Sequence, residues 1–237
     1  RENIRYFKMF SDIPKYGTET HYLNNTYIIG LVNFNSHPTQ LEVKKAMRWR
    51  KNMINAHIYA NQIMDSDKKK LLYFGLISYM ITKIRNKVNG KIMIVLTSLR
   101  QISELDNFLS KYHENLSVSR YDSTVKHNER LKAIESDIIL TTFGIAYAGL
   151  DINNLSAVFS LSPFQSPIGT SQLLGRLSRN NETTYFIDFL DEGYPRMHIQ
   201  RKNRMRELEP RSKKIFKTYI GEKDIRDYLE NLIKGKV

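Results

Sequence analysis

The chain has 237 residues, 41% hydrophobic and 26% charged, the balance of a soluble globular protein that can bury one sizeable core. Its formal net charge of +13 favours a polyanionic partner, nucleic acid first, through counterion release and electrostatic steering. The absence of cysteine excludes disulfides and thiolate metal sites, and no apolar run approaches the roughly 18 residues that span a bilayer.

In chain order, residues 1–20 mix aromatic and charged side chains with Pro14 and Gly17 and read as a connecting segment; the chain opens on Arg1 rather than methionine. A cysteine-free chain of this kind fits a cytoplasmic or nuclear protein. Tyr27 to Val32 is β-branched and apolar, a short buried strand. Residues 40–88 form a helical segment. One helix is expected from Gln40 to about Met64, with Lys44, Arg48 and Lys51 along a face that reads as solvated and Trp49 as a core or interface anchor. A second is expected from Lys68 to Val88, capped by Asp67 and ended by Asn89 and Gly90.

From Lys91 the chain changes character. Lys91 to Leu96 is the continuous apolar run of a parallel strand covered on both faces. Helices at 101–112 and 128–134, strands at 116–120, 137–140 and 157–161, a helix at 169–177 and a strand at 184–189 complete a motif-bearing core over 91–195. Such alternation predicts an α/β fold with a mainly parallel sheet. The tail, 196–237, reads as basic and helical, with a helix starting at Pro210. Arg196 to Lys217 holds nine Lys/Arg against Glu207 and Glu209, so 9 − 2 = +7.

Three strands end in polar clusters, the place where open α/β sheets build sites. Leu96 leads to Ser98 and Arg100, the third strand to Tyr121, Asp122 and Ser123, and Leu140 to Thr141, Thr142, Gly149 and Asp151. Beyond these comes Gln172 to Arg179, where Gln172, Arg176 and Arg179 share one helix face if the segment is helical. Two guanidinium forks beside an amide suit the oxygens of a triphosphate. Each residue also has a plainer reading: Thr141 and Thr142 can satisfy loop backbone, Asp151 can cap a turn, and Gly149 can serve a turn of positive φ.

In this order the clusters resemble motifs IV, V and VI of superfamily 2 helicases, in the branch similar to UvsW-type phage helicases and poxvirus-type transcript-release helicases. The resemblance covers about 27–206. It implies a RecA-like fold for residues 21–237 as the second, C-terminal lobe of an ATP-dependent helicase, viral or phage in type, with residues 1–20 the linker from a missing N-terminal lobe. It also implies that Arg176 and Arg179 act as arginine fingers with Gln172 beside them, and that Gly149 and Asp151 lie near the nucleotide. Thr141, Thr142, Ser98, Arg100, Tyr121 and Ser123 would contact the nucleic-acid backbone, DNA ahead of RNA. ATP and Mg²⁺ would be held mainly by the missing lobe.

One segment imitates a nucleotide site. Phe186 to Glu192 looks like a Walker B strand ending in Asp191 and Glu192, yet the chain contains no G-x-x-x-x-G-K-[ST] loop, and the segment follows the arginine helix. It reads as a strand and a turn through Gly193 and Pro195. No histidine spacing suits a metal, so none is assigned. A non-catalytic basic module on the same scaffold, docking nucleic acid or protein, is the competing expectation.

Overall fold

The computed structural model describes residues 27–47, 53–148, 150–164, 166–177 and 182–235. The expectations for residues 1–20, Arg48, Trp49, Lys51, Gly149 and Arg179 lie outside them.

Seven strands form one sheet in the order β3-β4-β2-β5-β6-β1-β7, with every pairing parallel. They are β1 (Tyr27–Phe34), β2 (Lys91–Leu96), β3 (Val118–Tyr121), β4 (Ile138–Thr142), β5 (Leu155–Ser160), β6 (Thr184–Asp191) and β7 (Ser212–Tyr219). Between β1 and β2 lie α1 (Gln40–Met47), α2 (Ala56–Met64) and α3 (Asp67–Arg85). Then come α4 (Leu99–Tyr112), α5 (His127–Ala133), α6 (Phe143–Ala148), α7 (Pro167–Leu177), α8 (Arg196–Leu208) and α9 (Glu222–Ile233).

Strand alternation sorts the core into two layers. Ile92, Ile94 and Leu96 of β2 face one cluster with α3 and α4, while Met93 and Val95 face the other with α6 and α7. Both faces being covered explains why β2 reads as an unbroken apolar run after Lys91 and why β5 and β6 are buried at every position. Local signals set the helix starts. Ser66 caps α3 by accepting from the Lys69 amide, and Ser98 forms a capping box with Gln101 at the start of α4.

Gly30 sits inside β1 because its neighbours leave no room. A Cβ there would lie 2.5 Å from the Phe216 ring of β7 and 2.7 Å from Ile187 of β6. Gly30→Ala is expected to destabilise by about 1–3 kcal/mol through overpacking, read as a lowered midpoint in urea unfolding.

Three expectations are corrected. The helix expected over 40–64 is two helices, α1 and α2, with an N-cap at Asn55 where the second begins. Thr141 and Thr142, placed beyond the end of the strand, are the last residues of β4, and the short α6 follows them directly. The tail is helical over α8 and α9, but Ser212–Tyr219, expected as the helix starting at Pro210, is β7, pairing in parallel along β1 and completing the sheet. Its lysines obscured the strand, yet lysine is the residue expected on an edge strand, where it discourages pairing with other chains.

Candidate nucleic-acid interface

A groove of about 1180 Å³ opens across the carboxyl ends of β2, β4 and β5. Its lining includes Thr97 and Ser98 after β2, Ser123 after β3, Thr142, Phe143 and Gly144 after β4, and Ser162, Phe164 and Ser166 after β5. The opposite wall is the start of α2, with Asn55, His57 and Asn61. Every lining residue is neutral or histidine, so among the described residues no lysine, arginine or carboxylate enters this groove.

Three helices begin at the groove, and each start is built from a short polar side chain. Asn55 accepts from the His57 and Ile58 amides at 3.1 Å; Ser98 accepts from the Gln101 amide at 3.2 Å; Ser166 accepts from the Gly169 amide at 3.1 Å. The starts of α2, α4 and α7 therefore direct the positive ends of their dipoles at one place. The strand ends are tied together by Thr97, whose hydroxyl donates to Ser162 across 3.0 Å. A neutral, hydroxyl-rich and amide-rich groove with converging helix starts is suited to phosphodiester oxygens.

The groove floor is aromatic. Phe143 stacks on Phe164 with centroids 4.0 Å apart, and the Arg204 guanidinium lies 5.2 Å from the Phe164 centroid. Gly169 of α7 admits this stack, since a Cβ there would come within 2.7 Å of Phe143. Behind it lies a buried charge cluster. Asp188 of β6 is fully buried and accepts from Arg201 Nε at 2.6 Å and Arg204 Nε at 2.9 Å. Arg201 continues to the Val32 and Asp188 carbonyls and to Asn33. Arg204 also donates to the Phe164 carbonyl, and Gln200 donates to the Pro163 carbonyl at 3.0 Å. Thus α8 pins the loop that carries Phe164 into the groove. Burial lowers the Arg201 pKa below its ordinary value, with Asp188 opposing.

The Walker-like carboxylate is structural. Asp191 is buried and accepts from the Ser36 amide at 3.1 Å, the Ser36 hydroxyl at 2.5 Å and the Gly193 amide at 3.0 Å. Burial pushes its carboxyl above the usual range against those bonds. The reading of 186–192 as strand and turn holds. Among the described residues, no three His, Asp or Glu side chains gather as a possible metal site.

The sequence-derived residues separate. Ser98, Ser123 and Thr142 line the groove. Thr141 does not: alternation along β4 turns it to the other face, fully buried, its hydroxyl without a hydrogen-bond partner. Arg100 is likewise displaced from the groove, its guanidinium bonded to Asp65 at 2.5 Å, Glu104 at 2.8 Å and the Met64 carbonyl at 3.1 Å. It fastens α4 to the end of α2. Tyr121 is partly buried against the second core, 5.9 Å beneath the Arg130 guanidinium. Its neighbour Asp122 is buried, which raises its pKa. Hydrogen bonds from Thr124 and Arg120 outweigh that and hold the carboxyl below the usual range. Gln172 and Asp151 are exposed. Arg176 is half-buried at the end of α7, donating to the carbonyls of Ala146 at 2.9 Å, Tyr147 at 3.4 Å and Leu150. These bonds place a cation at the carboxyl end of α6, where the dipole favours it.

Sequence reasoning missed Asn55, His57 and Asn61, which belong to no strand-end cluster. It also passed over Ser162 and Ser166, although they follow a strand as the other three clusters do.

The family described as helicase conserved C-terminal domain matches residues 74–181, from α3 to beyond α7. No curated protein matches the sequence. Among solved structures, the crystal structure of T4 UvsW is 12% identical with a TM-score of 0.56, covering 84% of this chain and 42% of that one. A Dbp5 variant of S. cerevisiae bound to RNA and ADP BeF3 is 14% identical with a TM-score of 0.52, covering 100% of this chain and 53% of that one. A Dbp5 variant bound to a Gle1 variant and IP6 is 15% identical with a TM-score of 0.51, covering 88% of this chain and 45% of that one. The chain spans about half the length of these structures, and at such identities the likeness concerns the fold. The chain therefore has a RecA-like α/β fold and, over residues 74–181, matches the helicase conserved C-terminal domain.

Proposed function

We propose that this chain is the second lobe of an ATP-dependent nucleic-acid helicase or translocase of superfamily 2, gripping a strand backbone in its groove. One observation carries the reading: Ser98, Ser123 and Thr142, from three separate strand-end clusters, line a single groove at the carboxyl edge of the sheet. Hydroxyls and helix starts contact phosphates without reading bases, so little sequence preference is expected. DNA ahead of RNA, a viral or phage source, and a cytoplasmic or nuclear setting are expectations from the sequence resemblance. Strand displacement on DNA, RNA and hybrid duplexes decides the first.

The nucleotide and Mg²⁺ would be held chiefly by another lobe, because the chain has no P-loop sequence. ATP supplies the terminal phosphoryl group whose developing charge a guanidinium neutralises. This lobe's part is to present Arg179 and Arg176, with Gln172 beside them, and Asp151 and Gly149 nearby. The isolated chain is expected not to hydrolyse ATP. Joined to a lobe carrying a P-loop it is expected to do so under nucleic-acid stimulation; helicase-like turnover by the chain alone would overturn the assignment.

A second reading, a nucleic-acid-binding module with no ATP cycle, is favoured by one observation. Arg176 is already bonded to three main-chain carbonyls rather than projecting from α7. Nucleic-acid binding that stays the same with ADP, with an ATP analogue and without nucleotide, in a protein carrying both lobes, supports that reading.

A further inference from the structure

The groove that accounts for backbone contact contains no cation among the described residues, while the chain carries +13. Neutral hydroxyls release no counterions, so a salt-dependent contact needs cations beyond these lining residues. The fold sorts the nine cations of 196–217. Arg201 and Arg204 are buried on Asp188, Arg211 pairs with Glu207, and Arg196 donates to the Met47 carbonyl at 2.5 Å. Lys202, Arg206, Lys213, Lys214 and Lys217 remain exposed, and among the described residues none has a carboxylate within ion-pair distance.

Three of these five lie on β7, an eight-residue edge strand without an acidic residue. Ile215, Lys217 and Tyr219 alternate onto one face, all exposed, Tyr219 by 54%, while exposed Lys214 turns to the other face and exposed Lys213 is the extra residue where the pairing with β1 shifts register. Every second residue of a strand is roughly 6.6 Å further along, so Ile215, Lys217 and Tyr219 make a row roughly 13 Å long with the cation between an apolar and an aromatic side chain. Cations interleaved with an aromatic ring suit a phosphate backbone with bases laid against the ring. The strand lies three positions from β5, roughly 14 Å across the sheet, within reach of a strand leaving the groove.

We propose that the exposed edge of β7, with the flank of α8, is a second nucleic-acid contact surface that supplies the salt-dependent part of binding. It rests on the reading of the groove as a backbone grip but is tested apart from it. Binding of a single-stranded oligonucleotide of about 30 nucleotides is measured against salt for the whole chain, for Lys213→Gln/Lys214→Gln/Lys217→Gln, and for Thr142→Val/Ser123→Ala. All three proteins are checked for folding by thermal melting. The lysine variant is expected to lose about 0.7–2 from the slope of log K against log salt, one to three contacts at about 0.7 each. The hydroxyl variant is expected to lose up to about tenfold in affinity at unchanged slope. An unchanged slope in the lysine variant, with the hydroxyl variant weakened, overturns the second surface and leaves the groove standing. Displacement of the oligonucleotide by polyglutamate at equal charge concentration would mark the strip as a dock for acidic protein and overturns it too. No binding to any oligonucleotide sinks the groove reading and this one together.

Discussion

Asp188→Asn is expected to cost about 3–5 kcal/mol of folding stability, the effect of leaving buried guanidinium groups without their counter-charge. Arg201 and Arg204 are 7% and 2% exposed, and both depend on the one carboxylate. Equilibrium unfolding in urea reads the loss as a lower midpoint at constant slope. Because burying an ion cluster is costly in itself, Asp188→Leu with Arg201→Met and Arg204→Met should recover much of the stability. The triple variant would still lack the Arg204 bond to the Phe164 carbonyl. A stable triple variant that binds nucleic acid weakly would show that the cluster positions the groove as well as holding the core.

The second large effect concerns hydrolysis in a protein carrying both lobes. Arg179→Ala is expected to lower stimulated ATPase by on the order of 10³–10⁵, as loss of an arginine finger does, with nucleic-acid binding largely intact. Arg176→Ala is expected to remove most stimulated activity as well. It should also lower the melting temperature, because its guanidinium holds the Ala146, Tyr147 and Leu150 carbonyls against α7. Arg176→Lys separates the two contributions: a lysine keeps the charge but cannot span three carbonyls with a planar fork. Loss of nucleic-acid binding with hydrolysis spared in both alanine variants would reverse the assignment.

What the residues alone determined is the part governed by short-range pattern. Lys91 to Leu96, apolar at every position after the lysine, can only be comfortable where both faces are covered, and β2 has those bounds. The switch from period two to helical spacing fixed the α/β class, and the polar clusters after strands marked the carboxyl edge before any coordinates did. Ser98, Ser123 and Thr142 were legible for that reason. The sequence pattern did not separate Thr141 from Thr142, because only pairing within the sheet decides which face each hydroxyl takes.

The remainder was settled by long-range partners that leave no local mark. Lysine-rich 212–219 carries little strand signal of its own and becomes β7 because β1 offers it an unpaired edge. Arg201 and Arg204 look like two more surface cations until β6 brings Asp188 beneath them. Arg100 was read as a backbone contact and Arg176 as a fork for phosphate, yet Asp65 and the α6 carbonyls, tens of residues away in sequence, take up their donors. Sequence spacing tells which side chains share an element; what each charge finally meets depends on elements that only packing brings together.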